Sequence, residues 1–216
     1  MLCLLALMVS VWFFAAIAED VATGDPMTIT DVRFSAWLHA HSTPSVTFLM
    51  RVITELHSSW VVAVVTLAVC AYWWMRGRRN WVFTLMLAVF GGMLLNLLLK
   101  HLFLRARPHF DNPMLTLTTY SFPSGHTLIA TVFYGTLCWF ILRRSDDRNW
   151  RFLAIPASLI LIALVGFSRI YLGAHYLSDV LGAIAEGLAW LAFCLIGTEA
   201  IKRRHDYKRR EADHHV

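Results

Sequence analysis

Six long apolar segments constrain this chain more strongly than any other feature of its sequence. They lie at about residues 1–18, 59–75, 81–104, 124–142, 152–172 and 176–200. Each is close to the ~20 residues that a helix needs to cross the hydrocarbon layer of a membrane. Strands of membrane barrels are shorter, about 9–11 residues, and alternate in polarity, which these segments do not. The sequence therefore predicts an all-α integral membrane protein built as a bundle of six transmembrane helices.

The composition excludes the main classes of soluble protein. Hydrophobic residues make up 58% of the chain and charged residues 15%, against about 45–50% and about 25% in soluble proteins. A soluble globule of 216 residues could not bury so much apolar surface. Disordered chains contain few such residues. We therefore interpret residues 1–216 as a single membrane-embedded domain.

The distribution of basic residues predicts the orientation of the bundle. Of the 19 lysines and arginines, 13 lie in the segments 76–79, 143–151 and 201–216, on one side of a six-helix bundle. The positive-inside rule makes that side cytoplasmic. The net charge of +5 thus reflects membrane topology and predicts no nucleic-acid partner. The outward segments are then 19–58, 105–123 and 173–175.

Three segments flank or precede this framework. Residues 1–18 are either the first helix or a signal sequence, because Ala16-Ile17-Ala18 resembles a cleavage site. Residues 201–216 are predicted to be a basic cytoplasmic tail that contacts anionic headgroups. Residues 19–58 are predicted to be an outward amphipathic segment, which either lies on the membrane surface and admits lipid or packs against the bundle. Its apolar residues at near-helical spacing are Phe34, Trp37, Leu38, Phe48, Leu49, Val52, Ile53 and Leu56.

Three groups of polar residues fall at the predicted outer ends of the helices. Lys100, Arg107 and Arg169 are cations at the membrane boundary, where charge is costly unless it is paired or needed, so we expect a bound anion. Pro123-Ser124-Gly125-His126 opens the fourth apolar segment. Ser124 can cap that helix, Gly125 lets an anion approach the backbone, and the free N–H groups with the helix dipole favour negative charge.

The third group contains a histidine paired with an acid. His175 and Asp179 are four residues apart, so they share one helical face. The carboxylate can then hold one ring nitrogen and leave the other free to attack. Taken alone, either this pair or the helix cap is weak evidence for a catalytic site. Their convergence with three cations at one predicted membrane face indicates phosphate chemistry.

These residues resemble the three signature motifs of the type 2 phosphatidic acid phosphatase superfamily in order and spacing. The matching residues are Lys100 with Arg107-Pro108, then Pro123-Ser124-Gly125-His126, then Ser168-Arg169 with His175 and Asp179. The resemblance implies that His175 attacks phosphorus, Asp179 orients it and His126 protonates the leaving oxygen. It further implies that the phosphate oxygens are held by Lys100, Arg107, Ser124, Gly125 and Arg169.

By the same resemblance the chain is a membrane lipid phosphatase with an outward-facing active site. A phosphohistidine forms on His175, and a water activated by His126 hydrolyses it, with no cofactor and no metal. Asp111 is the one further acid near the motifs, and one acid rarely suffices for magnesium. We interpret Asp111, His101, His109 and Arg105 as loop or supporting residues.

The sequence leaves the substrate and several alternatives open. Undecaprenyl pyrophosphate, phosphatidylglycerol phosphate and phosphatidic acid all suit a chain of this kind, in a bacterial inner membrane. Transfer of the phosphoryl group to a second lipid is an alternative to hydrolysis. Anion transport is a weaker one, because Glu186 alone among the ionisable residues lies deep in an apolar segment. Glu186 is expected to face the bundle interior, in a structural or a catalytic role, and the oligomeric state stays open.

Overall fold

The computed structural model describes residues 1–24, 26–115 and 117–214, apart from the side chains of Leu2, Pro26, His205, Asp206 and residues 208–214. Within these ranges all regular structure is helical, which confirms the predicted fold class. In chain order the helices are α1 (Leu2–Thr23), α2 (Pro26–Ala40), α3 (Pro44–Leu56), α4 (Ser59–Met75), α5 (Arg79–Met86), a π-helical turn (Leu87–Gly91), α6 (Gly92–Phe103), α7 (Gly125–Arg144), α8 (Arg148–Tyr171) and α9 (Leu177–His214).

By length and composition, five helical stretches can cross a membrane. They are Cys3–Thr23, Arg79–Phe103, Gly125–Arg144, Arg148–Tyr171 and Leu177–Arg204. Helices α3 and α4 meet the same criteria together, although they are bent by 46° where they join. The described part of the chain therefore holds five candidate spans and a sixth that is broken, one for each apolar segment of the sequence.

The third span is continuous but contains the π-helical turn between α5 and α6. The Trp190 ring of α9 lies against this turn, and its Nε1 donates a hydrogen bond of 3.2 Å to the Leu87 carbonyl. A Cβ added at Gly91 would lie 2.6 Å from Cζ2 of Trp190. The absence of a side chain at Gly91 thus lets α9 approach the third span closely, and such single-turn π segments commonly occur near functional sites.

The centre of the bundle is formed by α7, α8 and α9, and α1 packs along α9. The apolar core between α7 and its neighbours includes Leu85, Val89, Leu128 and Val132, all fully buried. A group of buried polar side chains lies at the N-terminus of α7. They come from the C-terminus of α8 and from the N-termini of α7 and α9.

The segment before α4 folds into α2 and α3 and divides its apolar residues between two environments. Leu38 and Ile53 are buried against Ile170 and Leu172 of the bundle, with Phe34 partly buried beside them. The exposed members are Trp37, Phe48, Leu49, Val52 and Leu56. This segment therefore packs on the bundle and at the same time keeps an outer apolar face.

The first and last helices, α1 and α9, carry the two ends of the chain. In α1, Ile17 and Ala18 are buried and pack with the fully buried Phe122 of the loop before α7. Helix α9 continues past its membrane span to His214. Most side chains of the predicted basic tail, and residues 215–216, lie outside the described residues.

Candidate active site

The loop between α6 and α7 is held in place by hydrogen bonds from two of the predicted cations. Lys100 Nζ donates to the Tyr120 carbonyl at 2.7 Å and lies 3.4 Å from that of Ser121. Arg107 Nε donates to the Thr119 carbonyl at 2.6 Å. Both cations therefore order the chain immediately before the Pro123-Ser124-Gly125-His126 segment.

Arg107 also joins this loop to the turn between α8 and α9. Its Nη1 donates to the Ala174 carbonyl at 2.6 Å and lies 3.3 Å from Nε2 of His175. A guanidinium can donate several hydrogen bonds in a fixed planar geometry, so one side chain can fix both segments. The first and third predicted groups of residues therefore meet at His175.

The turn that carries His175 depends on Gly173. Helix α8 ends at Tyr171, and Gly173 takes a φ of +67° that side chains disfavour. The chain then returns so that the backbone N–H groups of Ala174 and His175 donate to the Arg169 carbonyl at 3.0 and 3.2 Å. This turn points His175 into the bundle, where 2% of its surface is exposed.

Asp179 lies on the first turn of α9 and close to His175, as predicted, but the expectation that both residues share one helical face is wrong because His175 lies in the turn before the helix. The distance from His175 Nδ1 to Asp179 Oδ2 is 3.4 Å. This contact is not aligned as a hydrogen bond, and Nδ1 has no other partner among the described residues. Asp179 Oδ2 instead accepts from the Ser121 hydroxyl and from the Tyr176 backbone N–H. The carboxylate is therefore fixed by groups other than the imidazole.

Burial sets the protonation state of His175. It lowers the pKa of the imidazole to about 3, and the positive charges of Arg169 and Arg107 act in the same direction. Asp179 opposes this shift, but its effect is smaller. At neutral pH the ring is neutral, which is the state that a nucleophile requires.

Arg169 brings the third predicted cation to the site from the last turn of α8. Its Nη1 donates to the Thr54 hydroxyl of α3 at 2.5 Å. Its Nε is buried and, in the part of the chain that the structure describes, has no hydrogen-bond partner. A buried donor without a partner carries a free-energy cost that an incoming anion can remove.

Ser124 occupies the N-cap position of α7, but its hydroxyl accepts no hydrogen bond from a backbone N–H of that helix. It pairs instead with the Thr127 hydroxyl at 3.0 Å. The Ser124 backbone N–H donates to the Asp179 carbonyl at 3.1 Å, which ties the start of α7 to that of α9. The expectation that Ser124 caps α7 through its side chain is therefore wrong, although its position at the helix start is as predicted.

Gly125 and His126 form the first turn of α7 and are partly exposed. A Cβ at Gly125 would lie 3.3 Å from Asn96 Oδ1, so the helix start is closely packed on that side. His126 lies within Coulombic range of His175, Arg107 and Arg169. The second predicted group thus lies near the other two, and the Ser124 N–H contacts the Asp179 carbonyl.

Behind this site, Glu186 is buried and paired with Asn96. Asn96 Nδ2 donates to Glu186 Oε2 at 3.0 Å, whereas Glu186 Oε1 has no partner within the described residues. The position agrees with the expectation that Glu186 faces the bundle interior. His109 and Asp111 are exposed on the loop, and His101 Nδ1 pairs with the Leu97 carbonyl at 2.8 Å.

Sequence reasoning missed Asp31 and underestimated Arg105. Arg105 donates to Asp179 Oδ1 at 2.6 Å and to Asp31 Oδ2 at 2.8 Å. Asp31 lies on α2 and is 1% exposed. One signal in the sequence could have indicated it, because Asp31 shares a helical face with Ser35 and Leu38, and an acid on a buried helix face needs a partner.

Comparisons with known proteins agree with this geometry. The model of the PAP2 superfamily matches residues 81–203, which is more than half of the chain. Phosphatidylglycerophosphatase B of Bacillus subtilis is 40% identical over 130 residues, which span 58% of this chain and 63% of that protein, less than two thirds of its length. A putative undecaprenyl-diphosphatase of Escherichia coli is 25% identical over 167 residues, or 74% of this chain and 79% of the relative.

Two crystal structures are similar to this fold. A transmembrane PAP2-type phosphatidylglycerolphosphate phosphatase from Bacillus subtilis superposes with a TM-score of 0.83 at 27% identity, covering 91% of this chain and 98% of its own. LpxE of Aquifex aeolicus shares the fold, with a TM-score of 0.61 at 21% identity over 77% of this chain and 94% of its own. Since the matched residues 81–203 contain all three groups that meet at His175, the resemblance seen in the sequence is confirmed and the chain belongs to the PAP2 superfamily.

Proposed function

We propose that this chain is an integral-membrane lipid phosphatase that hydrolyses a phosphomonoester or a pyrophosphate. The observation that carries the proposal is the buried His175, whose Nε2 lies 3.3 Å from the Arg107 guanidinium. A phosphoryl group bound by Arg107 would lie next to the nitrogen that attacks it. Fixed positive charge at that point stabilises the charge that the equatorial oxygens carry in the transition state.

The proposed reaction has two steps on this chain's own residues. His175 Nε2 forms a bond to phosphorus while the bond to the leaving lipid oxygen breaks, and His126 donates a proton to that oxygen. His126, now neutral, then takes a proton from water, which attacks the phosphohistidine and releases inorganic phosphate. Asp179 supports the positive charge on the His175 ring, and no metal takes part.

The proposed phosphate-binding groups come from three helix ends and from the loop between α6 and α7. They are the cations Lys100, Arg107 and Arg169, and the start of α7 at Ser124 and Gly125. The unpartnered Nε of Arg169 supports its role, because a bound phosphate oxygen would satisfy a buried donor. The start of α7 adds N–H groups and the positive end of the helix dipole, which favour an anion.

We propose that the site faces the outside of a bacterial inner membrane. It lies at the C-terminus of α8 and the N-termini of α7 and α9, whereas Arg143, Arg144 and Arg148 lie at the opposite ends of α7 and α8. The positive-inside rule then makes the site extracytoplasmic. The packing of Ile17 and Ala18 against Phe122 supports retention of α1 as the first helix.

The proposed substrate is a lipid phosphate drawn from the surrounding membrane. Relatives carry the names phosphatidylglycerophosphatase B and undecaprenyl-diphosphatase. These names support phosphatidylglycerol phosphate and undecaprenyl pyrophosphate as candidates, with phosphatidic acid as the third. The exposed apolar side chains of α3, such as Phe48 and Leu49, lie on the helix whose Thr54 contacts Arg169.

The test is release of inorganic phosphate by detergent-purified protein from a panel of these three lipids, with a chelator present. We expect release with the wild-type protein, and its loss in His175→Ala but not in His41→Ala, which removes an exposed histidine of the turn after α2. Phosphate that appears on a second lipid instead of in solution would indicate phosphotransfer. Loss of activity on chelation would contradict the metal-free mechanism, and unchanged turnover in His175→Ala would reject the assignment.

A further inference from the structure

One guanidinium joins the catalytic carboxylate to a second, buried carboxylate on α2. Arg105 Nη1 donates to Asp179 Oδ1 at 2.6 Å and to the Ser178 hydroxyl at 2.6 Å. Arg105 Nη2 donates to Asp31 Oδ2 at 2.8 Å. The guanidinium also lies 4.6 Å from the centre of the Tyr176 ring. Two acids therefore share a single cation at the side of Asp179 away from His175.

Asp31 has a second contact with the helix that carries Asp179. Its Oδ1 accepts from the Ser178 backbone N–H at 3.0 Å, and its Oδ2 accepts from the Ser178 hydroxyl. The N–H groups of the first helical turn have no partner within the helix, so a carboxylate there is stabilising. Asp31 thus caps α9 from another helix, at the residue immediately before Asp179.

These contacts fix the charge as well as the geometry beside His175. Two carboxylates share one guanidinium, so Asp31, Arg105 and Asp179 together carry one net negative charge. The two nearby acids raise the pKa of Arg105 against the opposing effect of its burial. When His175 attacks, its ring becomes positive. The net negative charge of the three groups then stabilises it.

A purely structural anchor would not need these charges. Burying an ion pair costs several kcal/mol of desolvation, and apolar residues of similar volume commonly give equal or greater stability. Helix α2 already has such an anchor in Leu38, which is buried against the bundle. What the ionic contact adds is a fixed orientation and charge at Asp179.

We propose that Asp31 is a positioning residue, which acts through Arg105 and Ser178 to hold the Asp179 carboxylate in place beside His175. The inference rests on the phosphatase activity proposed above. It makes helix α2, which lies outside the three groups of motif residues, a part of the catalytic apparatus. Because Asp31 touches neither the phosphate-binding cations nor His175, its removal should affect turnover and not substrate binding.

The first test is a steady-state comparison of Asp31→Asn with the wild-type protein. We expect kcat to fall about 10- to 100-fold, as for groups that orient a ligand of a reactive centre, while KM stays within about twofold. Ser35→Ala is the matched control, since Ser35 is buried one turn along the same face of α2 and its hydroxyl has no partner among the described residues. It should retain wild-type kcat.

The second test asks whether Asp31 acts through Arg105. We expect the double variant Arg105→Gln, Asp31→Asn to have the same kcat as Arg105→Gln alone, because residues in one network give non-additive effects. This comparison of Arg105→Gln with the double variant also decides the question if Asp31→Asn alone does not fold. Full additivity would overturn the inference, as would an unchanged kcat in Asp31→Asn.

The two proposals fail in different ways. If the wild-type protein released no phosphate from any lipid, the proposed function would fall and the inference with it. If the wild-type protein were active and dependent on His175, but a folded Asp31→Asn protein raised KM with kcat unchanged, the function would stand. The role given to Asp31 would then be wrong.

Discussion

Arg107 and His175 meet through Nη1 and Nε2 at 3.3 Å, although 68 residues of sequence separate them. The same Nη1 donates to the Ala174 carbonyl, one residue before the histidine. The cation and the proposed nucleophile are therefore held by one rigid contact. An anion that binds the guanidinium arrives beside the attacking nitrogen without a change in either side chain's support.

Arg107→Lys tests whether this geometry matters beyond its charge. Lysine keeps one positive charge but cannot hold the Thr119 and Ala174 carbonyls in the planar arrangement that arginine uses. We expect kcat/KM to fall by about 100-fold, the size of effect seen when one fixed donor to a transition-state anion is lost. Arg33→Lys, at an exposed position on α2, is the control and should leave kcat/KM unchanged. Equal activity in both variants would show that charge alone suffices.

Gly173→Ala is expected to lower both stability and turnover. An alanine there would have to adopt an unfavourable positive φ, which costs about 1–2 kcal/mol. Its Cβ would lie 2.8 Å from Cε2 of Phe110. Relief of that contact has to move the turn that carries His175. Gly24→Ala separates the two effects, because Gly24 also has a positive φ, of 79°, but nothing lies within 4 Å of its added Cβ.

The measurements are the thermal unfolding midpoint and kcat of both glycine variants. Gly24→Ala should lower the midpoint modestly and leave kcat unchanged. Gly173→Ala should lower the midpoint further and reduce kcat. If the two variants behave alike, the contact with Phe110 does not position the turn.

Glu186→Gln distinguishes a structural from a catalytic role for this buried acid. Glutamine keeps an oxygen that can accept from Asn96 Nδ2 and removes the need to bury a charge. We expect an unfolding midpoint at least as high as that of the wild-type protein, and kcat within about threefold, since no transition-state contact is lost. A loss of more than about tenfold in kcat at an unchanged midpoint would assign a catalytic role.

The pH dependence of stability should carry a contribution from His175. In the unfolded chain its pKa is about 6.5, whereas burial lowers the pKa of the folded protein's imidazole to about 3. Between these values the unfolded state binds the proton and the folded state does not, so stability falls as the pH decreases. His175→Gln cannot titrate and should lose less stability than the wild-type protein between pH 7 and pH 5. Equal losses would mean that folding does not shift the pKa of His175.

Several parts of the site were accessible to sequence reasoning because they depend on local geometry. The spacing of four residues correctly predicted that His175 and Asp179 lie close together, although His175 lies in the turn before α9 and only Asp179 lies on the helix. Lys100 and Arg107 flank the end of α6 as predicted. The Ser124 hydroxyl illustrates the limit of such reasoning, because it pairs with the Thr127 hydroxyl and caps no backbone N–H of α7. A tertiary contact that no local spacing predicts, from the Ser124 N–H to the Asp179 carbonyl, instead ties the start of α7 to that of α9.

The amphipathic segment shows the same limit on a larger scale. Its apolar spacing predicted helices but could not decide whether they face lipid or protein. The structure buries Leu38 and Ile53 and exposes Trp37 and Phe48, so both environments occur on the same two helices. The bend of 46° between α3 and α4 lies where the predicted amphipathic segment gives way to the predicted span.

The sequence by itself determined the membrane-spanning helices and the motif residues. Apolar segments of about 20 residues must satisfy their backbone hydrogen bonds internally when they enter lipid, so they form helices wherever they pack. Only the tertiary structure decided that Arg105 bridges Asp31 and Asp179, each 74 residues away from it. No periodicity or local spacing encodes that contact, because it exists only when α2 lies against the start of α9, where Asp31 and Asp179 are buried.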